Sequence, residues 1–231
     1  MLTGIQGASF FEQQLALGLS DAGFDGRIMI IDWTTGRPWR FPQHMRDSAL
    51  QREAAQRVAR RIREFHLAHP VAPIHLIGYS GGAAVVLQAL GKLPAGEQAI
   101  VDRAAILAAA CSPHVDVASC VDRTKQGLWH LRSRFDVMIL GVMTRVIGTT
   151  DGEHGFAAGC VGFSFDEAME LKHTTSHVHS RTRPRFHECQ YRKNWLTQFH
   201  YGGHFGYANR VWASETLGRA LGFEGHADGR Q

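Results

Sequence analysis

Nowhere does the chain hold an uncharged apolar run approaching the ~20 residues that a membrane-spanning helix needs. The longest candidates, Arg27 to Trp33 and Ile74 to Tyr79, are strand-sized, so no integral membrane segment is expected. Lysine is nearly absent, with only Lys92, Lys125, Lys172 and Lys193, and arginine supplies most of the positive charge. That charge is neither large nor clustered: 25 basic residues face 21 acidic ones for a net +4, and they are scattered along the chain. A nucleic-acid partner would need a basic face, so none is expected. Cysteine is sparse too. Cys111, Cys120, Cys160 and Cys189 include no C-x-x-C pair and lack the dense spacing of a disulfide scaffold, which argues against a zinc cluster. The first residues lack a basic stretch followed by an apolar one, so the sequence as written reads as cytoplasmic.

What is there is ordinary globular material: 231 residues, 44% apolar, with 25 glycines, and neither repeats nor low-complexity segments. One domain over 1–231 is the expectation. Ser9 with Glu12 forms a capping box, and Phe11, Leu15, Leu19 and Ala22 recur at helical spacing until Gly23. Arg27 to Trp33 reads as a buried strand, and Asp47 to His69 as an amphipathic helix with Ala55, Val58, Ala59, Ile62 and Phe65 on its apolar side. Further strands are expected at Pro73 to Tyr79, Arg103 to Ala110, Leu128 to Phe135 and Arg185 to Tyr191. Helices are expected at Ala83 to Leu90, Val115 to Val121 and Asn209 to Leu221. This alternation predicts an α/β fold, a mostly parallel sheet covered by helices on both faces. Residues 137–184 form an irregular Gly-rich insertion, a lid or pocket wall.

Gly78-Tyr79-Ser80-Gly81-Gly82 fits G-x-S-x-G with a strand before it and a helix after. Such a turn holds the serine in a strained conformation, and the flanking small residues let strand and helix approach. A Gly-rich turn with an incidental serine is the bland alternative. A serine hydroxyl needs a base within reach and an acid to fix the base's tautomer, and in this context the chain order is Ser, acid, His. Asp136 ends a predicted strand in Arg134-Phe135-Asp136 and is the best acid, with Asp151 in reserve; Asp116, Asp122 and Asp166 read as caps or surface residues. Among 14 histidines, His204 in Gly202-Gly203-His204-Phe205 lies between the last strand and the last helix, where the base belongs. His200 is its rival, and His75 reads as a core residue. A metal site at His173, His177 and His179 is the alternative chemistry, weakened by the lack of a carboxylate partner.

On these residues the chain resembles the α/β-hydrolase superfamily, particularly small bacterial serine hydrolases of the lipase and esterase kind. The resemblance spans nearly the whole chain. It rests on Leu2-Thr3-Gly4-Ile5-Gln6-Gly7 as an oxyanion turn, Ile31-Asp32-Trp33, His75 to Gly82, and Gly202 to Gly206. It implies Ser80 as nucleophile, Asp136 as acid, His204 as base, and backbone N–H groups of Gly81 and Ile5, or Gln6 instead, as the oxyanion hole. It also implies a small-molecule ester as substrate, with no metal and no organic cofactor. Thioester or amide hydrolysis by the same triad, and a binding scaffold without turnover, are the other readings. Nothing in the pattern speaks to oligomeric state.

In that superfamily a central strand runs into the oxyanion turn, yet only Met1, Leu2 and Thr3 precede it here. Three residues fall short of an ordinary strand of about 5–6. The N-terminal strands are therefore expected to be missing or stunted, with Met1 to Thr3 lying between the Arg27 and Ile74 strands, and an upstream stretch that carried a leader is one reading of the gap. Cys111 to Gly127 is too short to hold a large helical cap. Val137 to Gly162 is apolar and nearly uncharged, as an acyl-pocket wall, a lid or a buried structural loop would be.

Overall fold

The computed structural model describes residues 1–164 and 185–223. Its centre is a four-stranded, all-parallel sheet whose strands β1 (His75–Tyr79), β2 (Val101–Leu107), β3 (Thr124–Arg132) and β4 (Phe186–Gln190) lie side by side in chain order. Parallel neighbours need a crossover. Here β1 and β2 are joined through α4 (Gly81–Leu90), and β2 and β3 through α5 (Val117–Val121). The other helices are α1 (Phe10–Asp21), α2 (Phe41–Arg46) and α3 (Ser48–Ala68), with a closing helical run of Arg210–Trp212, Ala213–Leu217 and Gly218–Ala220.

Alternate side chains of each strand point to opposite faces, and the core is divided accordingly. Leu76, Ala104, Ile106 and Leu128 pack with α3 and α4 on one face. Ile77, Tyr79, Ala105, Leu107 and Leu131 pack with α1 and the closing helical run on the other. The capping box at Ser9 and Glu12 is formed, and Asp47 caps α3 through the Leu50 amide. One residue of the expected apolar side of α3 departs from it: Phe65 is exposed and packs on the ring of His69 at 4.9 Å.

The Arg27 to Trp33 segment is not the buried strand its composition predicts. It is extended but largely half-exposed, and its one β-bridge joins Ile31 to Leu2. The reason lies in its partner. Met1 to Thr3 is inserted between this segment and β1: Ile31 N–H donates to the Met1 carbonyl (2.8 Å) and Thr3 N–H to Ile31 (3.2 Å), while Leu2 exchanges bonds with Ile77 and Tyr79 (2.7 and 3.3 Å). Three residues satisfy both neighbours for about one repeat of the ladder, too few to define a regular strand on the outer side. Leu2 itself is wholly buried.

The insertion after β3 also resolves into parts. Met138–Met143 and Thr144–Val146 are helical turns, and Ala158–Val161 is a short helix. The amides of Ala158 and Gly159 donate to Cys111 and Ala109, and Ser133 donates to Gly159, so this helix is bonded across the carboxyl end of the sheet. Residues 165–184 of the stretch, with Asp166, His173, His177 and His179, lie outside the described residues. No helix among the described residues is long and apolar enough to cross a membrane.

Candidate active site

β1 runs into α4 with no intervening loop, and the turn between them carries Ser80 at φ 55°, ψ −119°. A positive φ at a residue with a side chain is strained and persists only where the surroundings enforce it. They do so through contact. A Cβ on Gly78 would lie 2.7 Å from the Ala83 Cα and the Gly82 carbonyl, and one on Gly82 would strike the carbonyls of Leu2 and Thr3. Strand, helix and N-terminal segment therefore meet at van der Waals distance only because these two positions lack side chains. Ser80 N–H donates to Leu107 (2.9 Å), and Ala110 N–H donates to Ser80 (3.3 Å), fixing the turn to the end of β2.

Ser80, Asp136 and His204 come together from three separate places. Asp136 follows β3 in a turn closed by its own N–H on the Ser133 carbonyl (3.2 Å), and His204 opens the helical turn His204–Ala208. The His204 Nδ1 lies 2.6 Å from Asp136 Oδ2 and its Nε2 lies 3.0 Å from Ser80 Oγ. All three residues are buried. With Nδ1–H donating to the carboxylate, Nε2 is left as an acceptor facing the hydroxyl.

The rival residues are elsewhere. Asp151 accepts from the Ser112 amide (2.8 Å), Asp116 caps α5 through Ser119, and Asp122 pairs with Arg185 at 3.2 Å. His75 is half-buried against Phe24 and Phe223 at the start of β1, the end of the strand away from Ser80. His200 is wholly buried, its Nδ1 accepting from the Gly202 amide (3.0 Å), and burial pushes its pKa down to about 4. It is a neutral core histidine. Among the described residues no group of three or more His, Cys, Asp or Glu side chains is placed to hold a metal ion.

The turn Gly4 to Gly7 lies beside Ser80 and is held by side chains from four directions. Glu12 Oε1 accepts from Gly4 N–H (3.2 Å), Trp33 Nε1 donates to the Thr3 carbonyl (2.7 Å), and Asp32 Oδ2 accepts from Ala8 N–H (3.3 Å). The fourth is His44, wholly buried in α2. Its Nε2 receives the Thr35 amide (3.4 Å), so Nδ1 carries the proton and donates it to the Ile5 carbonyl (2.8 Å). Carbonyl and N–H point in opposite directions across a trans peptide, so this bond turns the Gln6 N–H away from His44. Ile5 also abuts Gly81, where a Cβ would collide with the Ile5 side chain. Gly81 follows the serine directly, and the Ile5 side chain packs against it.

Tyr79 adds a further restraint. Its hydroxyl donates to the His204 carbonyl (3.1 Å) and its ring lies 5.2 Å from the imidazole. Burial, with the nearby charges of Asp136 and Glu12, pushes the phenol's pKa well up, so it keeps the proton it donates. Over Ser80 opens a cleft of about 110 Å³, walled by Phe11, Phe41, Ile139, Met143 and Phe205. The insertion after β3 thus supplies part of the wall, through Ile139 and Met143.

The sequence reading singled out Ser80, Asp136 and His204, which the structure brings within hydrogen-bond distance of one another, but passed over the contacts of Tyr79, His44, Trp33 and the second task of Glu12. Tyr79 stood at the variable position of the motif and Glu12 was already explained as a cap. Nothing local marks His44, which acts 39 residues away from the peptide it holds. Set against family models, curated proteins and solved structures, the chain finds no match.

Proposed function

We propose that the protein is a serine hydrolase of carboxylic esters, working through Ser80, His204 and Asp136. The observation that carries this reading is the unbroken hydrogen-bonded chain from Asp136 through His204 to a serine on a strained strand-to-helix turn. The order of the parallel strands, with Met1 to Thr3 between β1 and the Arg27 segment, agrees with the α/β-hydrolase plan from its central strand onward.

The reaction follows from the groups present. His204 Nε2 takes the hydroxyl proton as Ser80 Oγ bonds to the ester carbonyl carbon, and the carbonyl π pair moves onto oxygen. Gly81 N–H and Ile5 N–H, with Gln6 N–H as the alternative donor, stabilise that oxyanion. The imidazolium, held by Asp136, then protonates the departing alkoxide as the C–O bond breaks. Water repeats the sequence on the acyl-serine, releasing the acid and restoring Ser80. Thioesters and amides would be attacked by the same groups, and the size of the cleft favours small acyl parts.

The test is hydrolysis of a p-nitrophenyl ester with labelling by a serine-directed phosphonate. We expect label on Ser80, and loss of roughly 10³-fold or more in turnover for Ser80→Ala and His204→Ala, because members of a triad act as a unit. A protein that binds esters without turning them over would leave only a binding scaffold, and a Ser80→Ala variant that keeps its rate would overturn Ser80 as the nucleophile.

A further inference from the structure

A second depression lies on the other side of the wall formed by Phe11 and Phe205. These two rings stack at 5.0 Å between centroids with 26° between planes, and together with His204 they border both the cleft over Ser80 and a groove of about 560 Å³ between α1 and the His204 turn. The groove is roughly five times the volume of the cleft. Its rim concentrates exposed aromatic surface: Phe10, Phe199, Tyr201 and Phe205 are each at least half exposed. Large apolar side chains gathered in one concave exposed place mark a binding surface.

We infer that this groove receives the alcohol part of the ester, and that the preferred alcohol is neutral, bulky and aromatic while the acyl part is short. The inference rests on the ester-hydrolase reading above and assigns its two halves. The leaving oxygen must lie beside the atom that protonates it, His204 Nε2, and His204 borders cleft and groove alike, so an alcohol part that passes the exposed edge of Phe205 at this shared border enters the groove. The acyl part is left to the cleft, whose 110 Å³ falls below the ~150 Å³ that holds a benzene molecule in an engineered cavity, which favours a short acyl chain. Aromatic rings give offset-stacked and edge contacts to an aryl ligand that an alkyl chain lacks. The groove offers no free charge among its described lining residues. Arg210, its one charged wall apart from the triad histidine, is tied through Nε and Nη2 to both oxygens of Asp21 (2.5 and 2.7 Å).

The experiment compares 2-naphthylmethyl acetate with 2-methoxyethyl acetate, whose alcohols are of similar acidity, and 2-naphthylmethyl acetate with 2-naphthylmethyl octanoate. The expected result is a kcat/KM about tenfold or more higher for the naphthylmethyl than for the methoxyethyl acetate, and a fall of similar size on going to the octanoate. Tyr201→Ala and Phe10→Ala, both at exposed positions, should shrink the naphthylmethyl-to-methoxyethyl ratio several-fold. Equal kcat/KM for the two acetates, or a ratio that neither variant changes, would overturn the assignment of the groove while leaving the ester-hydrolase reading intact. Absence of turnover for all three esters would overturn both together.

Discussion

At the scale of the single residue, the triad's reach depends on groups that never touch the reacting atoms. Tyr79 donates a buried hydrogen bond to the His204 carbonyl, which its loss would remove. Tyr79→Phe should therefore cost about 1 kcal/mol of stability and lower kcat severalfold with little change in KM; unfolding in urea alongside steady-state kinetics separates the two effects. His44 acts one step further out. It fixes the Ile5 carbonyl, and through that peptide the direction of the Gln6 N–H, the alternative donor of the proposed oxyanion hole. Losing one oxyanion donor costs about 10²–10³ in kcat, and a misdirected donor should cost less, on the order of tenfold. We expect His44→Gln, which retains a donor, to recover part of the kcat lost in His44→Ala, with KM the same in both. A merely structural role would lower the melting temperatures of both variants and leave the kcat of the folded fraction alone.

At the scale of the element, the strand-to-helix turn was legible because it is built from adjacent residues. G-x-S-x-G, an apolar run before and an apolar run after lie within one short stretch of chain, and their meaning depends on little else. The contacts at Gly78 and Gly82 supply the physical reason for the spacing. Gly78→Ala should destabilise the protein by about 1–3 kcal/mol through overpacking against backbone and shift Ser80 enough to remove most activity. Gly155→Ala, where a Cβ meets nothing within 4 Å, is the matched control and should leave both properties near wild type. Thermal melts of the pair give the answer. The Arg27 segment shows the opposite case. Its β-branched composition says strand, but pairing is a property of two chains, and its partner supplies three residues. Asp136 and His204 fall between these extremes. Their positions at the ends of predicted elements were readable, whereas the distances that join them depend on the register of β3 against β2 and on the closing helical run, which no local pattern encodes. The aromatic groove was not legible at all, because Phe10, Tyr201 and Val211 come from separate segments.

At the scale of the whole molecule, His200 ties the loop that carries His204 to the core and makes stability depend on pH. Its ring lies 4.4–5.5 Å from those of Tyr191, Trp195, Tyr207 and Trp212, and Gly206 packs so closely on it that a Cβ would collide with the imidazole. Burial lowers its pKa from 6.5 to about 4. Between those values the unfolded chain binds a proton that the folded one refuses, so stability rises with pH across that window and is lost as pH falls from 6.5 towards 4. A depression of this size corresponds to roughly 3 kcal/mol, or about 6–12 °C in melting temperature for a chain of this length. A second acid-sensitive group acts lower down. Burial pushes the Glu188 carboxyl up, but the neighbouring His130 (3.4 Å) and the ion pair with Arg132 (2.7 Å) outweigh it and hold the group at about 2 against an ordinary 4.5, so its contribution is complete above pH 4.5 and lost only below that. The upper window is shared with His75, His130 and His187, whose pKa values burial also lowers from 6.5, and Glu188 acts below it. His200→Gln keeps an acceptor for the Gly202 amide and does not titrate. Whatever it costs at pH 7, its unfolding free energy should change less between pH 6.5 and 4.5 than that of the wild type, by the share that His200 carries, while the two curves fall in parallel below 4. Equal slopes above pH 4.5 would mean that another group carries the upper window and that His200 takes up its proton without unfolding the loop.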